Sequence, residues 1–203
     1  IMVFATASTA FGGAITEATG PFLVDGKPVT LQKGQTLPLK ERQQVDTGSS
    51  TVTFLSSAGD PIVLEPGSQV QSMGDDGQRD SLFLLRGVGV ATLSQKTTFG
   101  AAAGWVTAPQ GATEKIQVFV EVPADRASSE ALFRANSGEA WVSYFQFAAW
   151  LPVRHAITLT VDKTSQGLVC YRTHQQNRGN VRIEKRVQGR TIVTQVPRAT
   201  SGC

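Results

Sequence analysis

The residues that look most like reaction machinery are Val45-Asp46-Thr47-Gly48-Ser49-Ser50. An aspartate in an Asp-Thr-Gly step does acid-base work when it shares one proton with a second aspartate about 3 Å away, one carboxyl staying protonated while the other activates water. The chain has one such step and no second Asp-Thr/Ser-Gly, so a homodimer is needed to bring two together. Lys40-Glu41-Arg42-Gln43-Gln44 precedes it where an apolar supporting strand belongs, and Thr47-Gly48 reads as a turn. His155 and His174 are the only histidines, and neither stands at a diagnostic spacing from Cys, Ser or Asp. The aspartates of Gly74-Asp75-Asp76-Gly77-Gln78-Arg79-Asp80 lack the alternating carboxylates of a calcium loop and read as an exposed tip. There is no Cys-x-x-Cys, Gly-x-Ser-x-Gly elbow, phosphate loop or dinucleotide fingerprint. The expectation is a chain without catalytic residues, metal or cofactor.

The elements that carry these residues are short. Between Val24 and Gly87 each apolar run ends at a glycine: Gly26, Gly34, Gly48, Gly59, Gly67, Gly74 and Gly87. Intervals of roughly 8 to 14 residues are those of short strands returning through tight turns, an all-β signature. Asp25-Gly26 is a hairpin turn between Pro21-Phe22-Leu23-Val24 and Lys27-Pro28-Val29-Thr30-Leu31. Thr51 to Leu55 alternates as a half-buried strand, whereas Leu82-Phe83-Leu84-Leu85 is apolar on both faces and is expected inside.

The pieces Val24-Asp25-Gly26, Lys33-Gly34-Gln35, Val45 to Ser50, Ile62-Val63-Leu64-Glu65-Pro66-Gly67-Ser68 and Leu82 to Gly87 together resemble the FecR-like domain of bacterial envelope and secreted proteins. That pattern runs from a Val-x-Gly hairpin through Gly-x-x-Leu, Val-x-Thr-Gly-x-x-Ser and Ile-x-Leu-x-Pro-x-Ser to a closing Leu-x-x-Gly. Ser137-Gly138-Glu139-Ala140-Trp141-Val142 is similar to a Ser-Gly-Glu-x-Trp-Val step that such chains reuse. The resemblance implies an exported, mostly non-catalytic β-roll or sandwich. FecR regulators also carry a membrane helix and a cytoplasmic segment, and signalling is not expected because no stretch here matches them. The Asp46 step, with Leu84-Leu85-Arg86-Gly87 behind it, is also similar to retroviral-type aspartic proteases, and a homodimeric protease is the enzyme alternative.

Composition sets the remaining bounds. The 203 residues suit one large β domain or two small ones, and a 17% charged content with abundant Gly, Ser and Thr suits turns and strands. A net charge of +3 with no basic run interleaved with aromatics does not point to nucleic acid, so no nucleic-acid partner is expected, and no apolar stretch reaches membrane-spanning length. The organisation expected is an apolar arm over 1–19, a FecR-like β domain over 20–100 and a second β-rich region over 101–203. The corner is placed in the small-residue connection near residue 100. The second region is expected to hold strands over 115–122, 132–135, 141–150, 156–161 and 167–172, then a hairpin of 181–187 and 191–196 turning at Gln188-Gly189. A helix over 124–136 competes.

Two surfaces and one pair of cysteines stand out. The uncharged arm, with Ile1, Val3, Phe4 and Phe11, is expected to pair as a strand with a neighbouring subunit, hinged at Gly12-Gly13. Trp141, Tyr144 and Phe147 with Arg182, Lys185 and Arg186 are assigned to a partner surface, although core packing competes for the aromatics. Cys170 and Cys203 are compatible with one disulfide, within or between chains, or with two thiols; an internal bond would close a loop of about 34 residues and add about 3 to 4 kcal/mol. The functional expectation is a non-enzymatic structural protein, extracellular or on the cell surface, that forms a homo-oligomer or filament. The alternative is a periplasmic or secreted module for ligand or polysaccharide binding, or signalling.

Overall fold

The computed structural model describes residues 10–75, 80–125, 129–162, 168–175, 181–187, 190–196 and 201–202. These form strands and turns only: the protein is all-β. In chain order the strands are β1 (Ala10–Ala18), β2 (Phe22–Val24), β3 (Lys27–Val29), β4 (Leu37–Lys40), β5 (Gln44–Asp46), β6 (Val52–Leu55), β7 (Pro61–Leu64), β8 (Gln69–Asp75), β9 (Asp80–Leu93) and β10 (Thr97–Ala101). There follow β11 (Gly104–Thr107), β12 (Ile116–Val122), β13 (Glu130–Ser137), β14 (Ala140–Tyr144), β15 (Phe147–Leu151), β16 (His155–Asp162), β17 (Leu168–Gln175), β18 (Val181–Val187), β19 (Arg190–Val196) and β20 (Ser201–Gly202).

One hydrogen-bonded network folds into two layers that share β9. The first layer runs β4-β1-β6-β7-β9-β12-β13-β16-β17-β20. The second runs β3-β2-β5-β8-β9-β10-β11-β14-β15-β18-β19. Among the described residues only β9 and β10 pair in parallel. Gly87 is where β9 changes layer. Asp80, Leu82 and Leu84 are buried before it and Gly89, Ala91 and Leu93 after it, so the inward face shifts by one residue. Gly87 adopts φ +91, and a Cβ there would lie 2.6 Å from Ser68 Cα, which explains the glycine.

The layers face each other across a core that runs from Ile15 to Ile183. Phe133 and Leu159 of the first layer reach Gly104 of the second, where a Cβ would lie 3.7 and 3.3 Å from their side chains. The expected corner near residue 100 falls inside β10, which continues the second layer from β9 to β11.

Local expectations fare unevenly. Asp25 and Gly26 take φ 50 and 74, the paired left-handed turn that Asp-Gly allows. Leu82 and Leu84 are buried, but Phe83 and Leu85 face outward and are half-buried. The strand expected over 132–135 lies within β13, whose alternating Ala131, Phe133 and Ala135 fill the core, so the strand and not the competing helix occupies 130–136. The single strand expected over 141–150 is a hairpin, β14 to β15, turning at Phe145 with φ +46. No Gly, Asn or Pro marks that turn, so the sequence did not show it.

The largest correction concerns the N-terminus. Residues 10–18 are not a free arm: β1 pairs with β4 and β6 of its own chain, and Ile15 is 1% exposed. Nor does Gly13 act as a hinge, because a Cβ there would sit 2.2 Å from the Phe54 ring, a close approach that only glycine permits. Ile1, Val3 and Phe4 lie outside the described residues, as does the side chain of Phe11.

Candidate functional site

The Asp46 turn is assembled by backbone contacts. Thr47 is buried, its N–H donates to Ser68 O at 2.9 Å and its hydroxyl accepts from Ser68 N at 2.9 Å. Asp46 Oδ1 accepts from Gly48 N at 2.9 Å, and Oδ2 pairs with Arg86 Nη2 at 3.0 Å. Both carboxylate oxygens are thus occupied within one chain, whereas a catalytic pair needs two carboxyls close enough to share one proton.

A second aspartate, which the sequence reading passed over, is built quite differently. Asp60 is fully buried between the β6–β7 turn and the β9–β10 turn. Its Oδ2 accepts from Ser94 N at 2.9 Å, Ser94 Oγ at 2.6 Å and Thr97 Oγ1 at 2.6 Å. Its Oδ1 forms an ion pair with Lys115 Nζ at 2.8 Å. Burial pushes the Asp60 carboxyl up, but Lys115, Ser94 and Thr97 together outweigh that and hold it below the usual carboxylate value. Nearby, Asp80 is 2% exposed rather than at the exposed tip expected for it; one oxygen accepts from Ser57 N and the other has no hydrogen-bond partner among the described residues. This junction ties β9 and β10 to the loops before β7 and β12. Among the described residues no group of three or more His, Cys, Asp or Glu is placed to hold a metal.

The partner surface expected in the second half separates by strand alternation. Phe147 is 3% exposed, with its ring 5.8 Å from Tyr171, and Tyr144 packs against the core. Lys185 faces inward too: its ammonium lies 5.2 Å over the Tyr171 ring, and burial pushes its pKa down. Only Trp141 and Arg182 of that set face outward as described side chains; that of Arg186 lies outside the described residues. Trp141, Trp150 and Arg182 stack as plates across β14, β15 and β18, at 6.0 Å between the indoles and 4.7 Å from guanidinium to ring. Such cross-strand packing covers ring faces and stabilises the sheet. Among the exposed aromatics is Phe145 at the hairpin tip, 91% exposed.

His155 is buried, with Nδ1 3.0 Å from Val153 O, and His174 Nε2 lies 2.8 Å from Thr158 Oγ1. Cys170 is disulfide-bonded, and the chain has one other cysteine, Cys203. Tyr171 pairs with Gly202, so β20 brings the C-terminal stretch beside Cys170.

The ends of the layers differ. Among the described residues β3, β4, β20 and β19 each have a strand neighbour on one side only. Lys27 and Pro28 blunt the three-residue β3, Pro38 and Lys40 blunt β4, and β20 has two residues. Strand β19, Arg190-Thr191-Ile192-Val193-Thr194-Gln195-Val196, has seven residues, no proline and one charge, at its first position. It pairs with β18 in unbroken register, and Ile192 and Val193, on opposite faces, are 52% and 51% exposed.

No protein-family model matches the chain, and no curated protein or solved structure matches it either.

Proposed function

We propose that this is a non-enzymatic structural protein of the cell exterior that assembles with copies of itself, β19 being the acceptor edge. The single observation behind this is the contrast among the four edges: three are short or carry proline and lysine, which discourage strand addition, whereas β19 is long and proline-free, with one charge at its first position. A strand added there would satisfy the outer backbone groups of β19 and cover Ile192 and Val193 together.

The donor in this reading is the uncharged stretch 1–9 of a neighbouring copy. It leads into β1, which lies beside β4 at one end of the first layer, while β19 closes the other end of the second. Along the strand order, on the order of 40 Å of sheet separates β1 from β19 at about 4.8 Å per strand, more than nine extended residues span at about 3.4 Å each. Successive head-to-tail contacts then grow an open polymer. The likeness of 24–87 to FecR-like envelope domains supports placing it outside the cytoplasm.

Sedimentation and electron microscopy of the full chain, of Ile192→Lys and of a chain lacking residues 1–9 test this. Expected are polymers for the parent and folded monomers for both variants. Deletion must stop before residue 10, because β1 belongs to the core. Dimers that persist without residues 1–9 but vanish in Ile192→Lys would mean that two β19 edges pair with each other. A parent that stays monomeric at high concentration would end the assembly reading.

A further inference from the structure

The outer face of the first layer holds a hollow of about 370 Å³. Its origin is a small residue: Ala156 pairs with Arg134 on one side and His174 on the other, so a methyl group lies between two long side chains. One row along, Leu132 sits between Glu121 and Thr158 and completes an apolar floor. The walls are charged, with Arg134 and Arg154 towards one end and Glu121 and Glu130 towards the other.

Arg154 is the informative residue. It takes φ +64, a left-handed conformation that glycine adopts freely and arginine only under strain, with its N–H fixed to Ala135 O at 2.7 Å. Its guanidinium has no partner among the described residues, and neither does the Glu121 carboxylate on the opposite wall. Arg134 is held in place by Phe119, 4.3 Å beneath its guanidinium, and by Asn136, which accepts from Nε at 3.0 Å. Burial and then Arg172 push His174 below its usual pKa, so at neutral pH it adds no charge to the hollow.

We infer that this hollow binds a small zwitterion, namely a short peptide or amino acid with free termini, its carboxylate on Arg154 and Arg134 and its ammonium on Glu121. A polyanion would meet Glu121 and Glu130, and an apolar ligand would strand Arg154 and Glu121 away from water. Only a ligand with both charges, separated, satisfies both walls. This site stands apart from β19 and does not depend on self-assembly.

Calorimetric titration with triglycine, its C-terminal amide, its N-acetyl form and inorganic phosphate tests the assignment. Triglycine should bind at millimolar concentration or better, and amidation should weaken it about tenfold or more, as expected for losing a charge-assisted contact. Arg154→Gly should do the same while leaving the melting temperature unchanged or higher, since it relieves the left-handed arginine. Glu121→Gln should weaken triglycine but not N-acetyl-triglycine. Absence of triglycine binding, binding unaffected by Arg154→Gly, or phosphate binding as tightly as triglycine would each overturn the assignment.

Discussion

Asp46 and Asp60 sit in neighbouring turns of the same half of the molecule and show opposite relations between letters and chemistry. Asp46 belongs to a motif with catalytic associations, yet it is a turn residue whose oxygens are held by Gly48 N and by Arg86 at the surface. Asp60 belongs to no motif, yet it is fully buried, paired with Lys115 and bonded to Ser94 and Thr97. The difference is one of desolvation: a carboxylate removed from water persists only where its surroundings replace every lost hydrogen bond. What a side chain does here follows from what surrounds it, and sequence neighbours supply little of that at Asp60.

The largest effect should come from Asp60→Ala. It strands Ser94 N, Ser94 Oγ and Thr97 Oγ1 in the junction and deprives Lys115 of its partner. Loss of a buried, bonded charge costs about 3 kcal/mol or more, which lowers the melting temperature of a chain this size by about 10 °C. A melting temperature within a degree or two of the parent would remove the contrast between the two aspartates.

Acid should narrow that difference. The Asp60 carboxyl is held below its ordinary value of 3.8, so the folded form binds a proton less readily than the unfolded one. Its contribution is complete above the unfolded value and disappears as pH falls through the lower folded value. Parent and Asp60→Ala are therefore expected to differ most at neutral pH, and the gap between them to narrow below pH 3.8 in denaturant titrations. A gap that widens on acidification would reverse the assigned sign. Lys115→Met should cost less, about 1 kcal/mol, because Lys115 is 47% exposed and the carboxylate keeps its Ser94 and Thr97 donors. It should also raise the pH of acid unfolding, since the ammonium no longer holds the Asp60 carboxyl down.

The same logic explains what could be read in advance. Glycine pacing and alternation marked the all-β class, the Asp25-Gly26 hairpin and strands such as β6 and β12, because left-handed turns and half-buried faces are written locally. The fate of residues 10–18 was not local: whether an uncharged segment extends its own sheet or another depends on β4 and β6 being open beside it. The Phe145 turn lacks turn residues, and the inward aim of Phe147 and Lys185 depends on where β14 ends. Asp60 left one readable trace, an aspartate after Ser56-Ser57-Ala58-Gly59, where a short polar loop suggests side-chain bonding to backbone. Its partners Ser94, Thr97 and Lys115 lie too far along the chain to be assigned without the fold.

The smallest effect is expected at the most suggestive motif. The substitution Asp46→Asn keeps a side-chain oxygen for Gly48 N and loses an ion pair whose Arg86 side chain is 47% exposed. Exposed pairs of this kind are worth about 0 to 1 kcal/mol, so stability should fall by about 0.5 kcal/mol, and less at high salt. Thr47, buried and bonded to Ser68, keeps the turn in place whichever residue precedes it. A parallel assay of parent and variant for peptide cleavage at acidic pH settles the chemical side. Cleavage by the parent that disappears in Asp46→Asn would restore the homodimeric protease, since it would require Arg86 to release Asp46 so that two carboxyls share a proton. Equal behaviour of the two proteins would leave Asp46 as a residue that shapes a turn.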